Sequence, residues 1–101
     1  MHIAVTGRNG TVDRRTRAYV ETRVFNTLRS VERAIRRIDV SLSYGSTDAP
    51  HAVTCSIVLD FTRGERIAAT AVADWTYAAI DGAVSDAWKQ VPTRSRETVH
   101  S

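Results

Sequence analysis

The chain has 101 residues, enough for one domain with a single core and too few for two. Its apolar fraction of 43% and charged fraction of 25% are typical of a soluble globular protein. Cys55 is the only cysteine, which excludes an intramolecular disulfide and argues against a thiolate metal site. No segment has the composition of a signal peptide or a membrane span, so we expect a cytoplasmic protein.

Positive charge is concentrated in the first third of the chain. Residues 1–37 hold nine arginines and three acids, a net charge of +6, whereas residues 38–101 have a net charge of −3. This asymmetry indicates a surface that faces a polyanion, most commonly nucleic acid and next anionic lipid. Because thirteen arginines stand against one lysine, a compositional bias that leaves a merely solvated face is the alternative.

The first predicted elements are a short strand over residues 2–6 and a long helix over residues 13–37. Gly7 and Gly10 separate them, and either Thr11 or Asp13 is expected to cap the helix. Helical spacing places an apolar stripe on one side: Val20, Val24, Thr27, Leu28, Val31, Ala34 and Ile35. The opposite side carries Arg15, Arg29, Arg33 and Arg36, and the helix is expected to end near Arg37.

Alternating apolar residues predict three further strands, over residues 38–44, 53–61 and 67–73. A second helix is expected from a cap at Asp74 to Val91, where Pro92 stops it. The order β-α-β-β-β-α predicts an α+β fold with a four-stranded, antiparallel-rich sheet and both helices packed on one face. We assign residues 1–92 to this domain and expect residues 93–101 to form a disordered polar tail.

Catalytic chemistry is not indicated by the residue inventory. His2, His51 and His100 lack metal-ligand spacing, and no serine has the glycine context of a nucleophile elbow. We therefore expect no enzymatic activity, metal, cofactor or small-molecule substrate.

Exposed aromatic residues can bind bases, so their positions matter. Phe25 lies off the apolar stripe and could stack on a base or fill a partner's pocket, or be a lone surface aromatic. Trp75 and Trp88 flank the second helix and are expected to cover the sheet edge rather than bind bases.

Two short strings, VTGRN at residues 5–9 and YAAIDG at residues 77–82, resemble the bacterial ribosome hibernation-promoting factor and ribosome-associated inhibitor family, the sigma-54 modulation proteins. Tyr19, Val20 and His51 also match, and the likeness covers about residues 1–91. The resemblance implies a fold similar to double-stranded RNA-binding domains. It also implies binding in the small ribosomal subunit between head and body, where the messenger channel and transfer-RNA sites are blocked under stress. The chain looks like a short form that lacks a carboxyl-terminal dimerisation domain.

The resemblance matches Arg8, Arg17, Arg23 and Lys89 to basic or polar RNA-facing positions of the family. With the other arginines of the predicted helix, the expected RNA-binding set is Arg8, Arg14, Arg15, Arg17, Arg23, Arg29, Arg33, Arg36, Arg37 and Lys89. The chain departs from the family pattern at Gly10, Thr16, Asp86, Pro92 and Thr93. Asp86 stands where the family usually carries lysine, which weakens the expected attraction to RNA.

The sequence thus predicts a ribosome-associated hibernation factor that binds small-subunit ribosomal RNA and needs no membrane. One alternative is a protein–protein interaction module that kept the fold and lost the ribosome. Another is a protein that binds some other structured RNA, and a homodimer is left open.

Overall fold

The structure is a computed structural model that describes residues 1–8, 10–45 and 48–92. Its strands are β1 (His2–Arg8), β2 (Ile35–Tyr44), β3 (Val53–Phe61) and β4 (Arg66–Ala73). The helices are α1 (Arg14–Leu28) and α2 (Thr76–Gln90), with a 3₁₀ helix (Arg29–Ala34) between α1 and β2. The predicted α+β class and its β-α-β-β-β-α order are confirmed. Asn9 and the predicted tail, including Thr93, lie outside the described residues.

The strands form one sheet in the order β1-β2-β3-β4. β1 pairs with β2 in parallel, and the other two pairs are antiparallel. The two edge strands, β1 and β4, therefore run in the same direction. Each is followed by a helix that returns across the sheet, so α1 and α2 begin at the same end of the molecule.

The core lies between the helices and one face of the sheet. β3 supplies an unbroken alternation of buried side chains, namely Val53, Cys55, Ile57, Leu59 and Phe61. The helices bury Val20, Val24 and Leu28 from α1, and Ile80, Val84 and Ala87 from α2. Burial raises the pKa of the Cys55 thiol to about 12, so this cysteine is a packing residue rather than a nucleophile.

The other face of the sheet is polar. One cross-strand row joins Thr6, Ser41, Ser56 and Thr70, and the hydroxyls of Ser56 and Thr70 lie 3.1 Å apart. This face therefore packs on none of the helices, as the alternation in the sequence predicts.

The first helix ends earlier than expected, at Leu28 rather than near Arg37. Leu28, Val31 and Ala34 are three residues apart, a spacing that suits the 3₁₀ helix as well as the flank of an α-helix. Ile35 is already extended and pairs with Phe61, and the Ala34 carbonyl accepts a hydrogen bond from the Thr62 amide. The prediction of a helix to residue 37 was wrong because both arrangements bury the same apolar residues.

The amino termini of the helices are built differently. Asp13 caps α1, since its carboxylate accepts a 2.7 Å hydrogen bond from the Thr16 amide. The bond from this backbone amide lowers the pKa of Asp13. Asp74 was predicted to cap α2, but the N-cap residue is Trp75, which supplies no side-chain hydrogen bond.

The two helices contact each other through stacked tyrosine rings and side-chain hydrogen bonds. The rings of Tyr19 and Tyr77 stack with centroids 4.1 Å apart and planes inclined by 14°. The Tyr19 hydroxyl donates to Asp81 Oδ1 at 2.6 Å, and Arg23 Nε donates to the same oxygen at 3.0 Å. These contacts set the register of α1 against α2.

Gly10 and Val12, which precede α1, lie against Gly7. A Cβ atom at Gly7 would lie 2.7 Å from the Gly10 carbonyl oxygen and 2.9 Å from Val12 Cγ2. A Cβ atom at Gly10 would lie 2.9 Å from the ring of Tyr44. Both positions need glycine because backbone and ring approach too closely to admit a side chain.

We expect Gly7→Ala to lower the free energy of unfolding by roughly 1–3 kcal/mol, because the Gly10 backbone must move to admit the methyl group. Chemical denaturation of both proteins measures the difference. Thr6→Ala, at the exposed neighbouring position of β1, is the control and should change stability little. Wild-type stability for Gly7→Ala would contradict the close approach.

Tyr19→Phe should lower the free energy of unfolding at neutral pH by about 1 kcal/mol, because it removes a half-exposed hydrogen bond to a carboxylate. The bond to Asp81 is the main cause that raises the pKa of Tyr19 above the ordinary value of 10.0. The stabilisation is therefore complete below pH 10 and is lost as the pH rises through the raised pKa of the folded state.

Denaturation between pH 7 and pH 11 tests this expectation. The stability difference between wild type and Tyr19→Phe should shrink at the alkaline end. A difference that stays constant over the whole range would show that the hydroxyl bond is not its source.

Candidate nucleic-acid interface

Four exposed arginines lie at the end of the molecule where both helices begin. Arg8 is the last residue of β1, and Arg14, Arg15 and Arg17 belong to the first turn of α1. We call these four residues the arginine cluster. Among the described residues none of them forms an ion pair, whereas Arg23, Arg37 and Arg66 do.

The register between the helices places the start of α2 beside this cluster. Tyr19 is level with Tyr77, and Arg23 is level with Asp81, so the helices run side by side in the same direction. The same offset sets the first turn of α1, residues 14–17, level along the helix axis with residues 72–75, which include Trp75.

Tyr44 is the last residue of β2 and lies near the start of both helices. Its hydroxyl shares a hydrogen bond with Thr76 in the first turn of α2. Burial raises the pKa of Tyr44, and the negative charge of Asp13 at the start of α1 raises it further. Tyr44 therefore binds the start of α2 and lies within electrostatic range of the start of α1.

The arginine cluster sits where helix electrostatics disfavour positive charge. A helix amino terminus carries roughly half a positive charge, so acids are favoured there and arginines are not. The first turn of α1 nevertheless contains no acid. The carboxylate of Asp13 is engaged by the Thr16 amide, and α2 begins without a side-chain cap. Arg15 also attracts the Asp13 carboxylate and helps to lower its pKa, so the positive charge of this end is balanced only in part.

The predicted arginines do not all share this surface. Arg29 and Arg33 lie in the 3₁₀ helix, and Arg36 and Arg37 lie in β2, where residue 36 falls in an irregularity of the β2–β3 register. We call these four the second arginine group. It lies at the far end of α1, about 20 Å from the first turn at 1.5 Å per residue.

The expectation that Arg15, Arg29, Arg33 and Arg36 share one helix face was therefore wrong, because α1 ends at Leu28. The second group is also partly neutralised, since Arg37 Nη2 lies 2.9 Å from Asp39 Oδ1.

The remaining predicted residues, Arg23 and Lys89, occupy the helix pair itself. Arg23 forms an ion pair with Asp81 where α1 contacts α2, and its side chain is 46% exposed. Lys89 is exposed in the last turn of α2, at the end of that helix away from the arginine cluster.

Trp75 is the functional candidate that the sequence reasoning missed. It was expected to cover the sheet edge, but it is 60% exposed, and its ring centroid lies 5.2 Å from that of Tyr77. A signal existed in the sequence, because Trp75 falls outside the apolar stripe of α2 that begins at Tyr77. Trp88, by contrast, is half-buried and packs against the core.

Phe25 lies on a different flank of α1. It is 42% exposed and lines an open groove with Met1, Ile3 and Glu21, beside the edge strand β1. The groove contains no arginine or lysine, which separates Phe25 from the arginine cluster.

Neither a metal site nor a membrane helix is found in the described ranges. Within residues 1–8, 10–45 and 48–92, no three His, Cys, Asp or Glu side chains gather in a way that could hold a metal ion. No helix in the same ranges is long and apolar enough to cross a membrane.

Solved structures of two bacterial proteins share the fold. A ribosomal subunit interface protein from Coxiella burnetii superposes with a TM-score of 0.79 at 19% identity, covering 93% of this chain and 97% of that one. The Protein Y N-terminal domain from Thermus thermophilus gives a TM-score of 0.73 at 24% identity, covering 97% and 99% of the two chains. At these identities the superpositions show a common fold.

Membership of a family is shown by a family model. A comparison with curated proteins gives no match. The model described as "Sigma 54 modulation protein / S30EA ribosomal protein" matches residues 3–97, which is nearly the whole chain. It spans β1 to α2 and includes the arginine cluster, Trp75 and the Tyr19–Asp81 contact. The chain therefore belongs to the family of sigma 54 modulation proteins and S30EA ribosomal proteins.

Proposed function

We propose that this protein binds the small ribosomal subunit through its ribosomal RNA, in the region of the messenger channel and decoding site, and silences translation under stress. Family membership supports a ribosome-associated role. The choice of RNA as the ligand rests on the arginine cluster, which places three positive charges in the first turn of α1 and a fourth at the end of β1.

This placement of arginines opposes folding stability. Each arginine at the positive end of α1 lowers the free energy of unfolding by a fraction of a kcal/mol, whereas an acidic residue there would raise it. Groups that break a local rule of this kind are expected at functional sites. A phosphate backbone supplies the missing negative charge, because helix amino termini and arginine guanidinium groups both bind phosphate oxygens.

The mode of action that follows is occlusion by shape rather than catalysis. A rigid domain held by phosphate contacts needs little base readout, since such contacts position a protein on RNA without reading sequence. Because the ribosome works in the cytoplasm of bacteria, we assign the protein to that compartment.

Changing Arg14, Arg15 and Arg17 together to glutamine should weaken binding to purified small subunits by roughly 100-fold. This assumes about 1 kcal/mol for each charge-assisted phosphate contact. The slope of log K against log salt should become shallower by about 2 to 3, since fewer counterions are released. The melting temperature should stay equal or rise, because the variant relieves the positive end of α1. Cosedimentation at several salt concentrations and thermal melts measure both.

The matched control is Arg29, Arg33 and Arg36 changed to glutamine. It removes the same number of arginines from the second arginine group and should leave subunit binding near the wild-type level. The reverse result, in which only the control loses binding, would move the interface to the far end of α1.

Two other outcomes would replace the proposal. Binding to an unrelated structured RNA with no affinity for the small subunit would favour another RNA target. A tight dimer in light scattering, free of RNA and without subunit binding, would favour a protein–protein interaction module.

A further inference from the structure

Trp75 is the exposed member of a row of three neighbouring aromatic rings. Tyr19 stacks on Tyr77, and Tyr77 in turn meets Trp75 with planes inclined by 50°. The rings of Tyr19 and Tyr77 are half-buried between the two helices, whereas Trp75 is 60% exposed. The indole is thus supported from one side and open to solvent on the other.

The position of this ring distinguishes it from an ordinary surface aromatic. A single exposed aromatic needs no explanation. Phe25 is such a case, since its groove is lined by Glu21 and holds no arginine or lysine. Trp75 instead directly precedes α2, at the end of the protein where both helices begin and where the arginine cluster lies. This end of the protein therefore carries an exposed flat ring together with arginines that form no ion pair among the described residues.

That combination matches the chemistry of a nucleotide. A positive surface attracts the phosphate backbone, and an aromatic ring offers a platform on which an unstacked base can lie. A regular duplex cannot use the platform, because its bases are already stacked. The ligand that fits both features is a nucleotide at a single-stranded or bulged position of RNA.

We propose that Trp75 stacks on an unpaired base of ribosomal RNA whose backbone phosphates are held by the arginine cluster. This rests on the proposed function and adds a base contact to the phosphate contacts described there. Trp75 contributes attraction that does not depend on charge. Added salt should therefore weaken the phosphate contacts of the arginine cluster and leave base stacking on Trp75 unchanged.

Trp75→Ala should weaken binding to purified small subunits by roughly 5- to 150-fold, the range measured for loss of base–aromatic stacking. The salt dependence should keep its wild-type slope, because no positive charge is removed. Trp75→Phe should recover most of the affinity. Phe25→Ala, at an exposed aromatic outside the arginine cluster, is the matched control and should bind as wild type.

A fluorescence measurement tests the contact directly. The chain has two tryptophans, so Trp88→Phe leaves Trp75 as the only indole. We expect its emission to be quenched on titration with small subunits and with their protein-free RNA. Quenching by subunits without quenching by the RNA would identify a ribosomal protein as the partner and overturn the proposal.

The failures of the two proposals are distinguishable. Wild-type affinity for Trp75→Ala, with salt-dependent binding intact, would overturn base stacking and leave ribosome binding standing. Absence of subunit binding by the wild-type protein would overturn the proposed function itself, and base stacking with it.

Discussion

The contact between Tyr19, Tyr77 and Asp81 is the interaction on which the proposed interface depends. It fixes two helices that run in the same direction, so their amino termini, with like partial charge, stand together. Parallel neighbours of this kind gain nothing from dipole attraction, and shared burial must hold them. The apolar residues of α1 and α2 provide that burial in the core that they share with the sheet, and the hydrogen bonds to Asp81 then set the register.

This arrangement follows from the order of the strands. A parallel β1–β2 pair and two antiparallel pairs leave both edge strands pointing the same way. Any helix that returns from such a strand must start at the same end. The topology therefore creates one end rich in helix amino termini, and the sequence places Arg8, Arg14, Arg15 and Arg17 there. These arginines lower the stability only slightly, and the buried core holds the fold together. A binding role for this end is therefore compatible with a stable fold.

Much of the fold could be predicted because the sheet has a strong period of two. β3 alternates without a break, and the predicted range of residues 53–61 matches the strand in the structure. The first helix was harder, since Val31 and Ile35 are buried whether the chain continues as a helix or turns into a strand. A periodic pattern records which residues are buried and says little about the backbone that buries them.

The candidate site was less predictable than the fold. Arginine content indicated a polyanionic partner, but which arginines form ion pairs depends on contacts across the sheet and between the helices. Asp39 engages Arg37, and Asp81 engages Arg23 from 58 positions away. The exposure of Trp75 is a similar case, because it follows from where α2 begins. A cap at Asp74 and a cap at Trp75 differ by one residue in sequence and give different surfaces.

The same geometry limits the importance of Asp86, one of the residues at which the sequence departs from the basic pattern expected from the resemblance. Asp86 lies in the exposed part of α2, eleven positions after Trp75, which corresponds to about 16 Å along a helix. At physiological salt the screening length is about 8 Å, so its repulsion is strongly reduced at the arginine cluster. Its effect falls instead on any phosphate near Lys89. A lysine-poor α2 therefore concentrates the electrostatic attraction at the start of the helix pair, where the exposed indole of Trp75 is also found.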